Sequence, residues 1–409
     1  MSLKPGSGLL KEQVLDGIGV IDLSDGISGS YCAKMLAGFG AEVIKIERPG
    51  VGDSARSLGP FPDDIPHQEK SGAFLYHNTG KKSITLNIET ALGRDLMRKL
   101  VAGADVLVEN FRPCVLQKRS LDYPALSAIN PRLVMTSITG FGQTGPYRDF
   151  KMESIAGYAL GGHQYINGEP DREPLQGAGP QPEYLGGIHG FFGTITGLYS
   201  REDAGRGHHV DVSIMECLAG FHQFNLILYT YGGEIKRRTG NRYGGFTVVT
   251  IYPCKDGHIA LSASSPMQQE QLFALVGMPD LAEDLVGIAN RPDDTALKDA
   301  FDKRLMPWFR ERTKKEIFHT CSQWRIPCAP VTHPGELLDD PHFRERDFWT
   351  EIDHPVAGRL PYPGAPFRFQ EKHWQLGRAP LLGEHNQEVY GRLGYGSEDL
   401  VRLRQGGVI

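Results

Sequence analysis

The strongest restriction on the fold is an alternation along the first half of the chain. Between Gly17 and Met215, short apolar runs rich in β-branched residues alternate with stretches of helical character. Gly17 to Leu23 (GIGVIDL) is a short, almost continuous apolar run, which predicts a buried strand. The turn Asp25 to Ser30 (DGISGS) leads to a helix over Tyr31 to Phe39, stopped by Gly40, and Glu42 to Glu47 (EVIKIE) is the next strand. Further strands are expected at Lys82 to Ile88, Asp105 to Glu109, Arg132 to Ile138 and His209 to Met215, with a helix over Thr90 to Ala102 and another beginning near Pro182. Strands separated by helices pair in parallel, with helices on both faces of the sheet. The expected fold class is therefore α/β: a large Rossmann-like parallel-sheet domain plus a smaller α+β domain.

The smaller domain begins where the pattern changes, near Phe224. Val248 to Ser262 reads as two strands around a Lys-Asp-Gly turn, followed by helices over Met267 to Val276, Leu297 to Arg312 and Lys314 to Gln323. The expected division is 14–224 for the large domain, 225–330 for the small one, and 331–409 for a proline-rich C-terminal segment returning to the first.

Composition narrows the function. The chain has 409 residues and a net charge of −5, with no basic footprint for nucleic acid or an acidic membrane surface. Six scattered cysteines form no CxxC pair, so reduced thiols, no metal site and a cytoplasmic setting are expected. The leading MSLKPGSGLLKEQ has no apolar core of a signal peptide, and no run of about 18 apolar residues offers a membrane span. The loop after the first strand, DGISGS, is not GxGxxG, so a dinucleotide there is not supported, and the P-loop, HExxH and GxSxG are absent, which removes support for nucleotide-phosphate, zinc-protease and hydrolase chemistry. His163 and His189 are lone histidines and read as structural, and His208 and His209 alternate to opposite faces.

Two carboxylates stand out, Glu153 and Glu183, each where a loop enters a helix. Pro182 suits a first helical position, so Glu183 falls in the first turn, where the helix dipole favours an ionised carboxylate. Such a group can serve as a nucleophile. Acidic residues are also common in first helical turns for stability alone, and on spacing alone that is the commoner case. Asp25, Arg48, Asn110 and the loop GFGQTGP (Gly140 to Pro146) all follow strands, the end of a parallel sheet at which ligands bind.

The run DLSDGISGSYCAKMLAGFGAEVIKIERPGVGDSAR, then GKKSITLNI, ADVLVENFRP, NPRLVMTSITGFGQTGPYRD, TGLYSREDAGRGHHVDVSIME and the closing RAPLLGEHNQEV together resemble the family III CoA-transferases, a group that includes α-methylacyl-CoA racemase. The resemblance runs from about Gly17 to Leu393. It implies a CoA-binding large domain, an interlocked homodimer, and acyl-CoA and a carboxylic acid as substrates, with no tightly bound cofactor. In such transferases an aspartate forms an acyl anhydride and then an enzyme–CoA thioester. Its position falls on Glu183, a departure by one methylene. Glu153 falls where the racemase branch carries a histidine.

For CoA, the resemblance implies contacts from Ile27 and Ser28 after the first strand, Arg48 at the phosphates, and Leu86 to Glu89 at the adenine. It adds Asn110, Phe111 and Arg112 of the ENFRP turn, and Lys118 and Lys151 further along. Glu89 departs from a position where a positive residue can occur. The loop GNRYGGF, Gly240 to Phe246, lies where some members carry a mobile lid. The expected activity is CoA transfer through Glu183. The alternatives are α-proton transfer between Glu153 and Glu183, which deuterium uptake would reveal, and CoA binding without either reaction.

Overall fold

The alternation folds into a six-stranded sheet in which every pairing is parallel, in the order β3-β2-β1-β4-β5-β6. The computed structural model describes residues 13–242, 248–290, 295–370 and 374–409. In chain order the first strands and helices are β1 (Gly19–Asp22), α1 (Ser28–Gly38), β2 (Glu42–Glu47), α2 (Gly72–His77), β3 (Lys82–Thr85), α3 (Ala91–Ala102) and β4 (Val106–Glu109). The short helices α4 (Pro113–Gln117) and α5 (Tyr123–Ser127) precede β5 (Val134–Thr139). Then come α6 (Ser154–Leu160), α7 (His163–Ile166), α8 (Gln181–Ala204), β6 (His209–Ser213) and α9 (Ile214–Gly220). The order in which successive strands are added to the sheet reverses between β1 and β4, which pair in parallel, Val20 with Val106 and Ile21 with Leu107. In open parallel sheets that switch point opens a crevice at the carboxyl ends of the strands.

Three of the boundaries that move do so for a local reason. The helix α1 already includes Ser28, Gly29 and Ser30, which were expected to be turn. Glycine at 29 permits this, since an ideal Cβ there would lie 2.3 Å from Ser24 Cβ. The strand expected to run to Met215 stops at Ser213, whose hydroxyl accepts from Glu216 N at 3.3 Å and caps α9. The strand expected through Ile88 pairs only to Thr85, and Asn87 N donates instead to the Val408 carbonyl at 2.7 Å.

The described residues form two compact units. The first comprises residues up to His163, Gly177–Phe224 and His342–Ile409; the second comprises Gln164–Gln176 and Asn225–Pro341. In the first, the C-terminal α16 (Asn386–Arg392) and α17 (Ser397–Gln405) bury Val389, Tyr390, Leu400 and Leu403 in one core with Ile21, Ile44 and Leu107. They also close the β3 edge. Ser83 N donates to His385 Nδ1 at 3.2 Å and Thr85 N to Asn386 Oδ1 at 2.8 Å, so groups that an edge strand exposes are satisfied.

In the second unit, β7 (Val249–Cys254), β8 (Gly257–Ser262) and β9 (Cys328–Pro330) form an antiparallel sheet, the first two being the expected hairpin. Helices α11 (Pro266–Val276), α13 (Thr295–Arg310) and α14 (Lys314–Gln323) pack a core around Tyr252, Phe273, Phe301 and Phe309. Ser265 with Gln268, and Thr313 with Glu316, form capping boxes that start α11 and α14. Arg242 pairs there with Asp299 and Asp302, but 243–247, most of the GNRYGGF loop, lie outside the described residues.

Candidate active site

The mouth at the switch point is built from three loops tied to one another. Asp25 N donates to Asn110 Oδ1 at 2.8 Å, and Asn110 Nδ2 donates back to the Asp25 carbonyl at 2.7 Å, joining the loop after β1 to the turn after β4. Asp53 Oδ1 accepts from Gly26 N at 3.0 Å and from Ala55 N at 2.7 Å, joining the first loop to the one after β2. Under these loops lies a sealed ion network. Lys45 Nζ is 2.6 Å from Asp53 Oδ2, and Lys81 Nζ is 2.8 Å from Asp22 Oδ2, all four side chains being buried. Lys45 also donates to the Ser24 carbonyl at 2.7 Å. Burial alone would raise the Asp22 pKa, yet Lys45 and Lys81 pull it down to about 2. The loops therefore rest on fixed charges.

Above the network is a cavity of about 250 Å³ lined by Arg48, Leu86, Glu89 and Phe111, with Asp25 and Asn87. Ile27 is the N-cap of α1 and Ser28 its first residue, with Ser28 Oγ 3.3 Å from Asn110 Nδ2. Seven of the residues expected to contact CoA (Ile27, Ser28, Arg48, Leu86, Glu89, Asn110 and Phe111) thus converge on one mouth. Arg112 caps α4 and donates to the Asp149 carbonyl at 3.2 Å. Lys118 ends α4, and Lys151 is exposed ahead of α6. Among the described residues Arg48, Arg112, Lys118 and Lys151 make no ion pair, while Arg56 is held by Glu47 and Glu69, and Lys82 by Glu42 and Glu388. Glu89 is met by Arg119, whose Nε lies 3.1 Å from Glu89 Oε1, so a positive group does reach this rim from elsewhere in the chain.

Glu183 sits in the first turn of α8, after Pro182, as the sequence implies. Both of its carboxylate oxygens lie 2.8 Å from Ser154 Oγ. Ser154 is the first residue of α6, and Glu153 is its N-cap, extended in backbone and without a capping hydrogen bond from its side chain. Glu153 is exposed, and among the described residues no hydrogen bond joins it to Glu183. Burial raises the pKa of Tyr158, and the charge of Glu183 raises it further. Tyr184 is raised by burial, by Tyr31 and by Glu183, and its hydroxyl lies 2.9 Å from His77 Nε2.

Glycines let α8 approach the sheet and α1. An ideal Cβ at Gly190 would stand 2.4 Å from Ile138 Cδ1, and one at Gly187 2.7 Å from the Ser28 carbonyl oxygen. Glu183 precedes Gly187 by one turn, about 6 Å along the axis. The turn that carries Glu183 is therefore the one before the turn that meets the start of α1.

His163 Nε2 lies 3.0 Å from the Leu218 carbonyl and His189 Nδ1 2.9 Å from that of Leu185. Among the described residues no group of three or more His, Cys, Asp or Glu side chains could hold a metal ion. Sequence reasoning missed Asp53, Arg119, Ser154 and the His77–Tyr184 pair. Only Ser154 left a local trace, a hydroxyl residue where a loop turns into a helix.

The sequence model of CoA-transferase family III matches residues 15–386. The chain is 33% identical over 405 residues to the BbsE subunit of succinyl-CoA:(R)-benzylsuccinate CoA-transferase from Thauera aromatica, covering 95% of this chain and 97% of that one. It is 32% identical to a formyl-CoA:oxalate CoA-transferase from Streptomyces avermitilis, over 97% of this chain and all of the other (100%). The crystal structure of a CAIB/BAIF family protein from Brucella suis superposes with a TM-score of 0.81 at 30% identity, covering 94% of this chain and 100% of that one.

Proposed function

The chain belongs to CoA-transferase family III, and on that premise we propose that it moves CoA from an acyl-CoA to a carboxylic acid with Glu183 as the covalent carrier. The observation that carries this reading is the Glu183 carboxylate, set in the first turn of α8 one helical turn before the Gly187–Ser28 contact. An oxygen of Glu183 attacks the thioester carbonyl, the C–S bond breaks, CoA leaves as thiolate, and an acyl–glutamyl anhydride remains. The thiolate then attacks Cδ of Glu183 and expels the donor acid as its carboxylate. The acceptor carboxylate repeats the exchange in reverse order and leaves as the new thioester.

In this reading the adenosine end of CoA fills the cavity between Arg48, Leu86, Glu89 and Phe111, and the phosphates lie toward Arg48 and the opening turn of α1. Arg112, Lys118 and Lys151 are cations without ion pairs among the described residues, which suits them to the remaining length of the ligand. Glu153 occupies the N-cap position of α6, one residue ahead of Ser154, and its side chain takes no part in this step. CoA enters as a substrate and not as a resident cofactor.

We also propose a homodimer, interlocked as the family resemblance implies. The face of α8 turned away from the sheet carries Ile188, Phe192 and Tyr199, with Phe192 71% and Tyr199 79% exposed in the single chain. A cytoplasmic location agrees with six unpaired cysteines, and no helix among the described residues is long and apolar enough to cross a membrane.

The test is incubation with a panel of acyl-CoAs and hydroxylamine, followed by peptide mass spectrometry. Several relatives are named for succinyl-CoA, so it heads the panel. A hydroxamate on the Glu183 peptide supports the carrier role. An unmodified Glu183 across the panel, with deuterium washing into the α-position of the acyl group, would replace transfer by α-proton exchange.

A further inference from the structure

Ser154 Oγ stands 2.8 Å from Oε1 and 2.8 Å from Oε2 of Glu183. A hydroxyl has one proton to donate, so the two oxygens share a single donor. That symmetry matters once the carboxylate has reacted. Whichever oxygen attacks the thioester becomes the bridging oxygen of the anhydride, and the other becomes the glutamyl carbonyl. Either way, the remaining carbonyl oxygen is one that Ser154 already reaches.

Two of the four bond exchanges in the transfer occur at Cδ of Glu183 rather than at a substrate carbon. In the first, the CoA sulfur bonds to Cδ, the carbonyl π pair moves onto the glutamyl oxygen, and collapse breaks the bond to the donor acid. In the second, the acceptor carboxylate bonds to Cδ and the thiolate leaves. In both, the negative charge of the tetrahedral intermediate sits on the free glutamyl oxygen. A donor placed beforehand at an oxyanion stabilises it far more than a neutral carbonyl.

We infer that Ser154 is a catalytic residue, the donor to the oxyanion that develops on Glu183 each time its own carbonyl is attacked. This inference rests on Glu183 being the covalent carrier. It differs from a positioning role in a measurable way. A residue that only holds Glu183 in place would be needed most when the carboxylate first attacks. An oxyanion donor is not needed then, because removing a hydrogen bond from a nucleophilic carboxylate leaves its lone pairs more available.

The experiment compares wild type, Ser154→Ala and Ser154→Thr by rapid quench with acyl-CoA and no acceptor, reading the mass added to the Glu183 peptide. CoA binding to each variant, measured separately, shows that the fold is intact. Wild type is expected to carry CoA. Ser154→Ala is expected to carry the donor acyl group instead, formed at no less than the wild-type rate, with kcat lowered about 100- to 1,000-fold and the KM for the acyl-CoA lowered with it, because breakdown of the accumulated adduct becomes limiting. Ser154→Thr restores the hydroxyl and is expected to return the CoA adduct. Unchanged kcat in Ser154→Ala, or slower acylation with no build-up of the acyl adduct, would overturn the inference while leaving Glu183 as carrier. No adduct of either kind in wild type would remove the carrier reading itself, and this inference with it.

Discussion

At Glu183 the side-chain length is coupled to its neighbour. Shortening it to aspartate withdraws both oxygens by roughly one bond from Ser154, and a misplacement of about 1 Å can cost on the order of 100-fold. Glu183→Asp is therefore expected to lower kcat by about that factor, and Glu183→Gln to abolish turnover while CoA still binds. Steady-state kinetics with a CoA-binding assay separates the two. A second residue, Glu109, reports on the turn after β4. Its Oε2 accepts from Phe111 N at 2.8 Å, and burial pushes its pKa from 4.5 up to about 7. Its folded pKa is raised, so its contribution is complete below about pH 4.5 and is lost as pH rises through about 7. Urea unfolding should show wild type losing stability relative to Glu109→Gln between those values. The buried Lys81 is the clearest structural residue. Lys81→Met would leave Asp22 with one cation fewer in a sealed site, at a cost of about 3–5 kcal/mol in the unfolding free energy.

Among the elements, α8 carries most of the site's geometry, through the residues it lacks. Glycines are poor in helix interiors, each costing roughly 0.5–1 kcal/mol against alanine. In α8 that cost is offset by approach, since Gly186, Gly187 and Gly190 lie against Ile214, Ser28 and Ile138. Gly190→Ala should destabilise by about 1–3 kcal/mol through overpacking on Ile138, despite its better helix propensity, as thermal unfolding would show. Gly187→Ala presses on the Ser28 carbonyl and should weaken CoA binding as well as stability.

For the whole molecule, the single chain leaves the outer face of α8 apolar. Phe192 and Phe221 line one open groove beside the β6 edge. Light scattering should give twice the chain mass, and Phe192→Arg combined with Tyr199→Glu should shift it toward one. The strand–helix order, the hairpin of the second unit and the carboxylate in the first turn of α8 were legible from the sequence. Each rests on periodicity or on capping preferences within a few residues. The mouth residues were legible as a set only because ordered motifs resemble a family. Their fastenings were not: Asp53 reaches Gly26, Arg119 reaches Glu89, and His385 and Asn386 reach the β3 edge across some 300 positions. No local pattern announces such contacts.

The class of fold was readable along the chain, because hydrophobic period and turn chemistry act over short spans. Which carboxylates stand at helix starts was readable in the same way. Tertiary structure alone decided which of them has a partner. Glu183 meets Ser154 because two helices converge, while Glu153, in an equally suggestive local setting, is left exposed.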